Sequence, residues 1–332
     1  MARHHDTPGT TCALDAAKAQ GRLQARRNYR KRTLIENMFG WVWLLPAAFF
    51  FSLFTMVPIV KAFTFAFQYN DLINPPRWVG WSNFMYVLAD PQFWTAWKNS
   101  AFFMLYALIF GYFVPIILAI IVNEIRRGSS VFRLFFYLPA FVPPVAAAIL
   151  WKWIYLPDGG LANTILEALH IVPQPFLNST TMALPSLVIY STWAGFGGSL
   201  LLYTAALRGV SVELYDAAEI DGASILQRIW HVTFPQIRFL MLIMLIAQIL
   251  GTMQVFNEPF LFTSGGPAYA TTTVVLQIYN YAFREGDFGA ASALSLILFV
   301  VLAMLSMYYL YLMRASLGLV KDRPTHRYAP RV

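Results

Sequence analysis

Residues 211–235 decide the class of this chain; they read SVELYDAAEIDGASILQRIWHVTFP and lie between two long apolar segments. Ser211 suits a helix N-cap, and Gly222 suits the position just after a helix end. Ser224 and Gln227 have the spacing of a capping box, so a second helix is expected to begin at Ser224. The stretch therefore predicts a polar, amphipathic helical hairpin between membrane segments.

The first helix of this hairpin carries acidic side chains at a spacing of three residues, namely Glu213, Asp216 and Glu219. Like charges at that spacing share one stripe and repel each other weakly, so a basic partner would stabilise them. Ala217 and Ala218 leave room for the backbone of such a partner. Asp221 and Gly222 complete the polar end of the helix, and Pro235 is expected to end the second helix.

The pattern Asp216-Ala217-Ala218, three intervening residues, Gly222, nine intervening residues and then Val232-x-Phe234-Pro235 resembles a known motif. It is similar to the EAA loop of permease subunits in binding-protein-dependent ABC importers, with Asp for Glu, Val for Ile and Phe for Leu. The form Ala-Ala-x-x-Asp-Gly-Ala at 217–223 is similar to the carbohydrate-uptake, MalF-like branch. The resemblance implies that this loop docks on an ATPase.

Composition places the rest of the chain in a membrane. Of its 332 residues, 58% are hydrophobic and only 12% are charged, against about a quarter charged in soluble proteins. Six stretches without Asp, Glu, Lys or Arg are long enough, or nearly so, to cross a bilayer. They are Phe39–Val60, Asn99–Val122, Leu134–Trp151, Met182–Leu207, Phe239–Asn257 and Phe288–Met313. We expect an all-α polytopic protein with six transmembrane helices and a cytoplasmic coupling-helix hairpin.

The basic residues set the expected orientation. Of the 24 Lys and Arg residues, 19 lie before residue 39, in 124–133, in 208–238 or after Met313. The positive-inside rule then places both termini and the docking loop 208–238 in the cytoplasm. The expected organisation is a basic, disordered arm over 1–37, a transmembrane domain over 38–315 and a cytoplasmic tail over 316–332. The net charge of +8 reflects this topology and indicates no nucleic-acid partner.

Motifs of catalysis are missing from the sequence. There is no phosphate-binding loop of the Gly-x4-Gly-Lys-Ser/Thr type, no His-Glu-x-x-His and no Gly-x-Ser-x-Gly. The chain is therefore expected to be a transport subunit without its own ATPase activity, cofactor or metal. ATP and magnesium would be bound by the partner ATPase.

Polar residues at the outer end of the fifth predicted span are candidates for the substrate path. Gln254, Asn257 and Glu258 follow the spacing i, i+3, i+4 and would share one helix face, next to Pro259. Hydrogen-bonding groups match sugar hydroxyls, whereas an interhelical contact of Glu258 with Lys61 or Lys152 would explain the same residue without any substrate. Trp193, Tyr190 and Gln248 are weaker candidates.

The resemblance implies the permease subunit of an ATP-driven carbohydrate importer in a bacterial inner membrane. Its partners would be a second permease, an ABC ATPase dimer and an extracytoplasmic sugar-binding protein. A polyol, glycerol phosphate or peptide as cargo remains an alternative. A membrane enzyme acting on lipid-linked substrates would need clustered acids or histidines at the membrane face, and an ion-coupled carrier would need inverted repeats and paired intramembrane charges.

Overall fold

The computed structural model describes residues 41–124 and 129–316. The basic arm predicted over 1–37, the tail from residue 317 onward and the basic pair Arg126 and Arg127 lie outside the described residues. The chain divides after Ala62 into two units. The packing described below concerns the second unit, from Phe63 onward.

Helices dominate the described chain, as its apolar composition predicts. They are α1 Trp41–Phe65, α2 Ser82–Ala89, α3 Pro91–Asn123, α4 Ser129–Phe141, α5 Pro144–Ile154, α6 Leu161–Ala168, α7 Ala183–Arg208, α8 Val212–Ile220, α9 Ile225–Met253, α10 Asn257–Thr263, α11 Val274–Tyr279 and α12 Phe288–Ser316. A 3₁₀ turn covers Phe176–Asn178. The all-α prediction missed one element, an antiparallel ribbon of β1 Gln68–Tyr69 and β2 Arg77–Trp78.

Wide π-turns interrupt several long helices. They cover Ser52–Met56 in α1, Leu108–Tyr112 in α3, Ile229–Thr233 in α9 and Asn280–Arg284 after α11. Such turns often occur at functional positions, because they displace backbone carbonyls from the regular hydrogen-bonding pattern. The turns in α3 and α9 bear directly on the sites described below.

Within residues 41–124 and 129–316, four helices are long and apolar enough to cross a membrane, namely α1, α3, α9 and α12. The third predicted span is bent by 108° between Phe141 and Pro144, so α4 and α5 would together form a fifth. Pro143 and Pro144 explain this bend, since proline removes a helix hydrogen bond and restrains the preceding residue. The fourth predicted span forms α7, which has 26 residues but a less apolar composition.

Three groups of buried side chains hold the second unit together. The first joins α2, α11 and α12 around Phe84, Tyr281 and Leu294. The second joins α3, α5 and α7 around Phe103 and Leu187. The third group joins α3, α7 and α9 through the residues Tyr112, Ile116, Leu200, Tyr203 and Ile237. Helix α7 contributes to the last two groups and therefore lies at the centre of the packing.

Candidate functional site: a braced hairpin and a polar cavity

The predicted hairpin is present, formed by α8 and the first turns of α9. Helix α8 begins after Ser211, whose extended backbone is that of an N-cap although its side chain makes no capping hydrogen bond. It ends at Ile220 in a Schellman motif, in which Ala223 donates to the carbonyl of Ala218 at 2.9 Å and Gly222 to that of Glu219 at 3.0 Å. Gly222 has φ +74°, a left-handed conformation that favours glycine.

The capping box that starts the second helix is also confirmed. The backbone of Gln227 donates to the Ser224 hydroxyl at 3.4 Å, and the backbone of Ser224 donates to the Gln227 side chain at 2.8 Å. These reciprocal bonds satisfy two backbone donors that the first turn would otherwise leave open. The sharp reversal between the two helices is thus encoded by residues 222–227.

The predicted helix end at Pro235 is wrong. Pro235 lies in the first turn of the segment Phe234–Met253, and the helix continues without a break from Ile225 to Met253. Pro235 has no N–H group to donate to the preceding helical turn. That turn is the wide π-turn Ile229–Thr233. Helix α9 therefore connects the hairpin directly to the membrane segment.

Two contacts brace the hairpin across its two arms. The guanidinium of Arg228 donates to the Glu219 carboxylate at 3.3 Å. The hydroxyls of Tyr215 and Thr233 lie 3.1 Å apart, and Thr233 is buried. The Glu219–Arg228 contact joins the two helices close to the chain reversal, and the Tyr215–Thr233 contact joins α8 to the π-turn of α9. The two helices of the hairpin are therefore connected at two positions.

The docking residues predicted from the sequence form one accessible surface. Of the described residues in this set, all are exposed except the half-buried Ala218; the exposed ones are Glu213, Asp216, Ala217, Glu219, Asp221, Gly222 and Pro235. The sequence reasoning missed the apolar part of this surface. Ile220 is 87% exposed and Leu226 is 70% exposed, beside the acidic stripe. Bulky apolar side chains that are exposed on a polar hairpin indicate a protein-binding surface.

A cavity of about 310 Å³ lies between α3, α7 and the end of α9. Its size is at the lower end of ligand pockets, which run from about 300 to 1,000 Å³. Its polar lining consists of Ser191, Thr192, Ser199, Gln248, Thr252, Gln254, Asn257 and Glu258. Aromatic rings complete it, namely Phe103, Phe196 and Phe256. Hydroxyl and amide groups beside aromatic faces suit a ligand with both hydroxyl groups and apolar ring faces.

The structure brings Gln254, Asn257 and Glu258 together in this lining, but not by the helical face that their spacing predicts. Helix α9 ends at Met253, and a new helix, α10, begins at Asn257. The break lies at residues 254–256, before Pro259. Gln254, Asn257 and Glu258 therefore line one cavity from the two sides of a helix break, and the expectation of a continuous helix is wrong.

A threonine from the following loop holds this break. In a continuous helix the carbonyl of Val255 would accept from residue 259, which is proline and has no N–H group. Thr273, which is fully buried, supplies the missing donor, because its hydroxyl lies 2.8 Å from the Val255 oxygen. Val255 itself lines the cavity.

Tyr190 and Trp193 do not line this cavity, and their place on the substrate path stays a prediction. They pack with Trp151, and Tyr190 also contacts Phe262 at a ring separation of 4.7 Å. On α7 the cavity face includes Ser191, Gly195 and Ser199, at four-residue spacing, together with Thr192 and Phe196, whereas the two aromatics fall beside it. That spacing of small polar residues was visible in the sequence but is equally typical of helix packing.

Gln248 lines the cavity, as the weaker prediction proposed. Its amide nitrogen lies 3.5 Å from the Ala107 carbonyl, next to the π-turn of α3. A side chain at Gly111 would place its Cβ 2.9 Å from that nitrogen, so the end of the Gln248 side chain would have to shift. The π-turn and this glycine together allow α9 to reach α3 through a polar contact.

Glu258 makes no ion pair among the described residues of the second unit. The hydroxyl of Ser191, which also lines the cavity, interacts with the carboxyl group of Glu258. Lys152, one of the two partners considered from the sequence, lines a different cavity with Tyr155 and Phe262. The interhelical Glu258–Lys152 contact is therefore absent from this structure.

Comparison with known proteins decides the family. Residues 111–314 match the model of the binding-protein-dependent transport system inner membrane component. The chain belongs to this family. It is a membrane permease component of an importer and not an enzyme.

Relatives of this permease span nearly its whole length. It is 32% identical to the lactose transport system permease protein LacF of Rhizobium radiobacter, over 83% of this chain and 94% of LacF. It is 29% identical to the trehalose/maltose transport system permease protein MalF of Thermococcus litoralis, over 87% and 96%. Its fold matches a bacterial ABC transporter for the import of the acidic polysaccharide alginate, with a TM-score of 0.77, 24% identity and coverage of 86% and 98%.

Proposed function

We propose that the hairpin of this permease is the coupling element of an ATP-driven importer and that its cargo, a carbohydrate, passes through the polar cavity. The observation that carries the proposal is the braced hairpin, which exposes acidic and apolar side chains together. A rigid amphipathic element of this kind fits a groove on a partner, in the mode of helix-in-groove recognition. The partner is an ABC ATPase dimer, which binds ATP and magnesium.

The continuity of α9 supports the coupling role. One end of this helix belongs to the hairpin, and the other end carries Gln248 and Thr252 into the cavity wall. Its 29 residues correspond to roughly 43 Å at 1.5 Å per residue. When the ATPase closes on ATP, movement of the hairpin shifts this cavity wall, and access to the cavity changes sides.

We also propose six membrane spans, with α4 and α5 forming one bent span and α7 another. Both termini and the loop 208–238 then face the cytoplasm, as the distribution of Lys and Arg favours. A second, related permease completes the membrane unit, and an extracytoplasmic sugar-binding protein delivers the cargo. The family description, in which transport depends on a binding protein, supports this assembly.

Carbohydrate cargo is supported by the cavity lining and by the relatives. Gln254, Asn257 and Glu258 offer hydrogen-bonding groups beside Phe103 and Phe256. The side chain of Asn257 makes no hydrogen bond within the described residues and is free to bind a sugar hydroxyl. Relatives named for lactose and for trehalose/maltose transport agree with this choice.

The experiment starts from a Cys12→Ser background, because Cys12 is the chain's one cysteine. Glu219→Cys in that background is labelled with a membrane-impermeant maleimide. We expect labelling in inside-out vesicles, protection when the copurified ATPase is bound, and no labelling in intact cells. Glu167→Cys, exposed on α6, serves as the matched control and should be labelled from the outside. Labelling of Glu219→Cys in intact cells would contradict the proposal.

A further inference from the structure

We infer that the cavity selects its cargo by charge, accepting neutral or cationic saccharides and rejecting those with a carboxylate or phosphate, and that Glu258 sets this rule. The inference rests on the proposed function, since it concerns the cargo of the same cavity. It specifies which carbohydrates are cargo, namely those without a negative charge. Glycerol phosphate and uronate-containing oligosaccharides are then not cargo.

The first observation is the charge of the lining. Among the described residues that line the cavity, Glu258 is the one ionisable side chain, and no Lys, Arg or His is present. The remaining polar groups are the hydroxyls and amides of Ser, Thr, Gln and Asn. An anionic sugar would therefore leave water without meeting a positive charge among the described lining residues.

The second observation is that no basic side chain pairs with Glu258 among the described residues of the second unit. The side-chain group that interacts with its carboxyl is the neutral hydroxyl of Ser191. Lys152 belongs to another cavity, next to Thr263 and Pro267. Glu258 is thus the single acidic group among the described residues of the cavity lining. No described base in the second unit pairs with its carboxyl group.

Either protonation state of Glu258 disfavours an anion. An ionised carboxylate repels a second negative charge, and the repulsion is strong in a desolvated site. A protonated carboxyl removes this repulsion and leaves only the lost hydration of the anion, so discrimination is weaker in that state and depends mainly on the carboxylate charge. Neutral hydroxyl groups bind well in both states, as donors to the carboxylate or as acceptors from the acid.

The fold by itself does not set this preference. The solved importer of the acidic polysaccharide alginate shares the fold of this chain. The charge rule must therefore come from particular side chains in the lining, and Glu258 is the candidate that this cavity provides.

The first experiment measures which saccharides the intact importer removes from a mixture. Cells expressing the full importer receive a partial hydrolysate that contains neutral, amino-sugar and uronate-containing oligosaccharides, and depletion is followed by mass spectrometry against a strain without this permease. We expect depletion of neutral or amino-sugar members alone. Depletion of a uronate-containing member would overturn the charge rule but leave the carbohydrate proposal intact. Depletion of no saccharide at all would overturn both.

The second experiment assigns the rule to Glu258. The purified importer in lipid nanodiscs, without its binding protein, is titrated with the depleted neutral saccharide and with its uronate counterpart. We expect Glu258→Gln, which keeps the shape of the side chain, to reduce the discrimination between the two by about tenfold or more. Glu167→Gln, a matched change at an exposed position on α6, should leave it unchanged. Equal discrimination in Glu258→Gln and the parent would overturn the assignment.

Discussion

The hydroxyl of Tyr215 on α8 lies 3.1 Å from the hydroxyl of Thr233 in the π-turn of α9. Thr233 is 4% exposed, so this contact is partly shielded from competing water. It is the point at which the hairpin is tied to the helix that enters the membrane. A force applied to α8 reaches α9 through this bond as well as through the chain reversal at Gly222.

Tyr215→Phe removes this bond and keeps the aromatic ring. A buried neutral hydrogen bond contributes about 0.5–1.5 kcal/mol, so the protein should still insert and fold. We expect slower uptake with ATPase turnover retained, because the hairpin moves without transmitting its full displacement to α9. The measurement is the ratio of cargo imported to ATP hydrolysed in proteoliposomes.

Two comparisons make this prediction specific. Tyr308→Phe, at an exposed tyrosine on α12, should leave the ratio unchanged. Thr233→Val should lower it as Tyr215→Phe does, and the double variant should be no worse than the single ones, since all three remove the same bond. Additive losses would show that the two hydroxyls act separately.

Charge exchange between Glu219 and Arg228 separates bracing from docking. Their ion pair is exposed on the glutamate side and contributes only about 0–1 kcal/mol to stability. The double variant Glu219→Arg, Arg228→Glu can restore the pair in reverse. We expect nearly unchanged thermal stability and lost ATPase copurification, because the acidic stripe is interrupted where the partner binds. Recovery of uptake in the double variant, after loss in Glu219→Arg alone, would show that Glu219 serves the brace and not the docking surface.

Gly222 tests the geometry of the hairpin reversal. Its φ of +74° is unfavourable for residues with a Cβ, and a left-handed conformation costs them about 1–2 kcal/mol. A Cβ at this position would meet no atom within 4 Å, so Gly222→Ala isolates this backbone cost from any steric clash. We expect a lower melting temperature and reduced uptake.

Gly198 provides the matched control for this change. It lies inside α7, and a Cβ there would also have no neighbour within 4 Å. Because alanine is the better helix former, Gly198→Ala should stabilise the protein by about 0.5–1 kcal/mol. If both alanine variants shifted the melting temperature in the same direction, the argument from the left-handed conformation of Gly222 would fail.

The hairpin shows which features a sequence can predict. The stop at Gly222 and the capping box of Ser224 and Gln227 depend on bonds within a few residues, and both are present as predicted. The error at Pro235 has a physical cause, because a π-turn can precede a proline without ending the helix. No local pattern in the sequence distinguishes that turn from a regular one.

The cavity shows where local reasoning stops. Gln254, Asn257 and Glu258 were grouped by helical spacing, yet the helix breaks between Met253 and Asn257. The break is held by Thr273, 18 residues beyond Val255 along the chain, so it is a tertiary feature. Ser191 and Ser199 join the same cavity from α7, and their role follows only from how that helix is rotated in the packed structure.

Thr273→Val tests whether this break positions the cargo-binding groups. The variant leaves the buried Val255 carbonyl without a donor, because Pro259 cannot replace it, and such a loss costs about 1–3 kcal/mol. We expect weaker cargo binding, with a raised KM for uptake, since Gln254 and Glu258 flank this carbonyl. Thr273→Ser keeps the hydroxyl and should restore the parent KM. Thr272→Val is the matched control: its buried hydroxyl donates to the Gly265 carbonyl at 3.1 Å, away from the break. It should lower stability by a similar amount without raising the KM, and an equal rise in both valine variants would mean that Thr273 acts on stability alone.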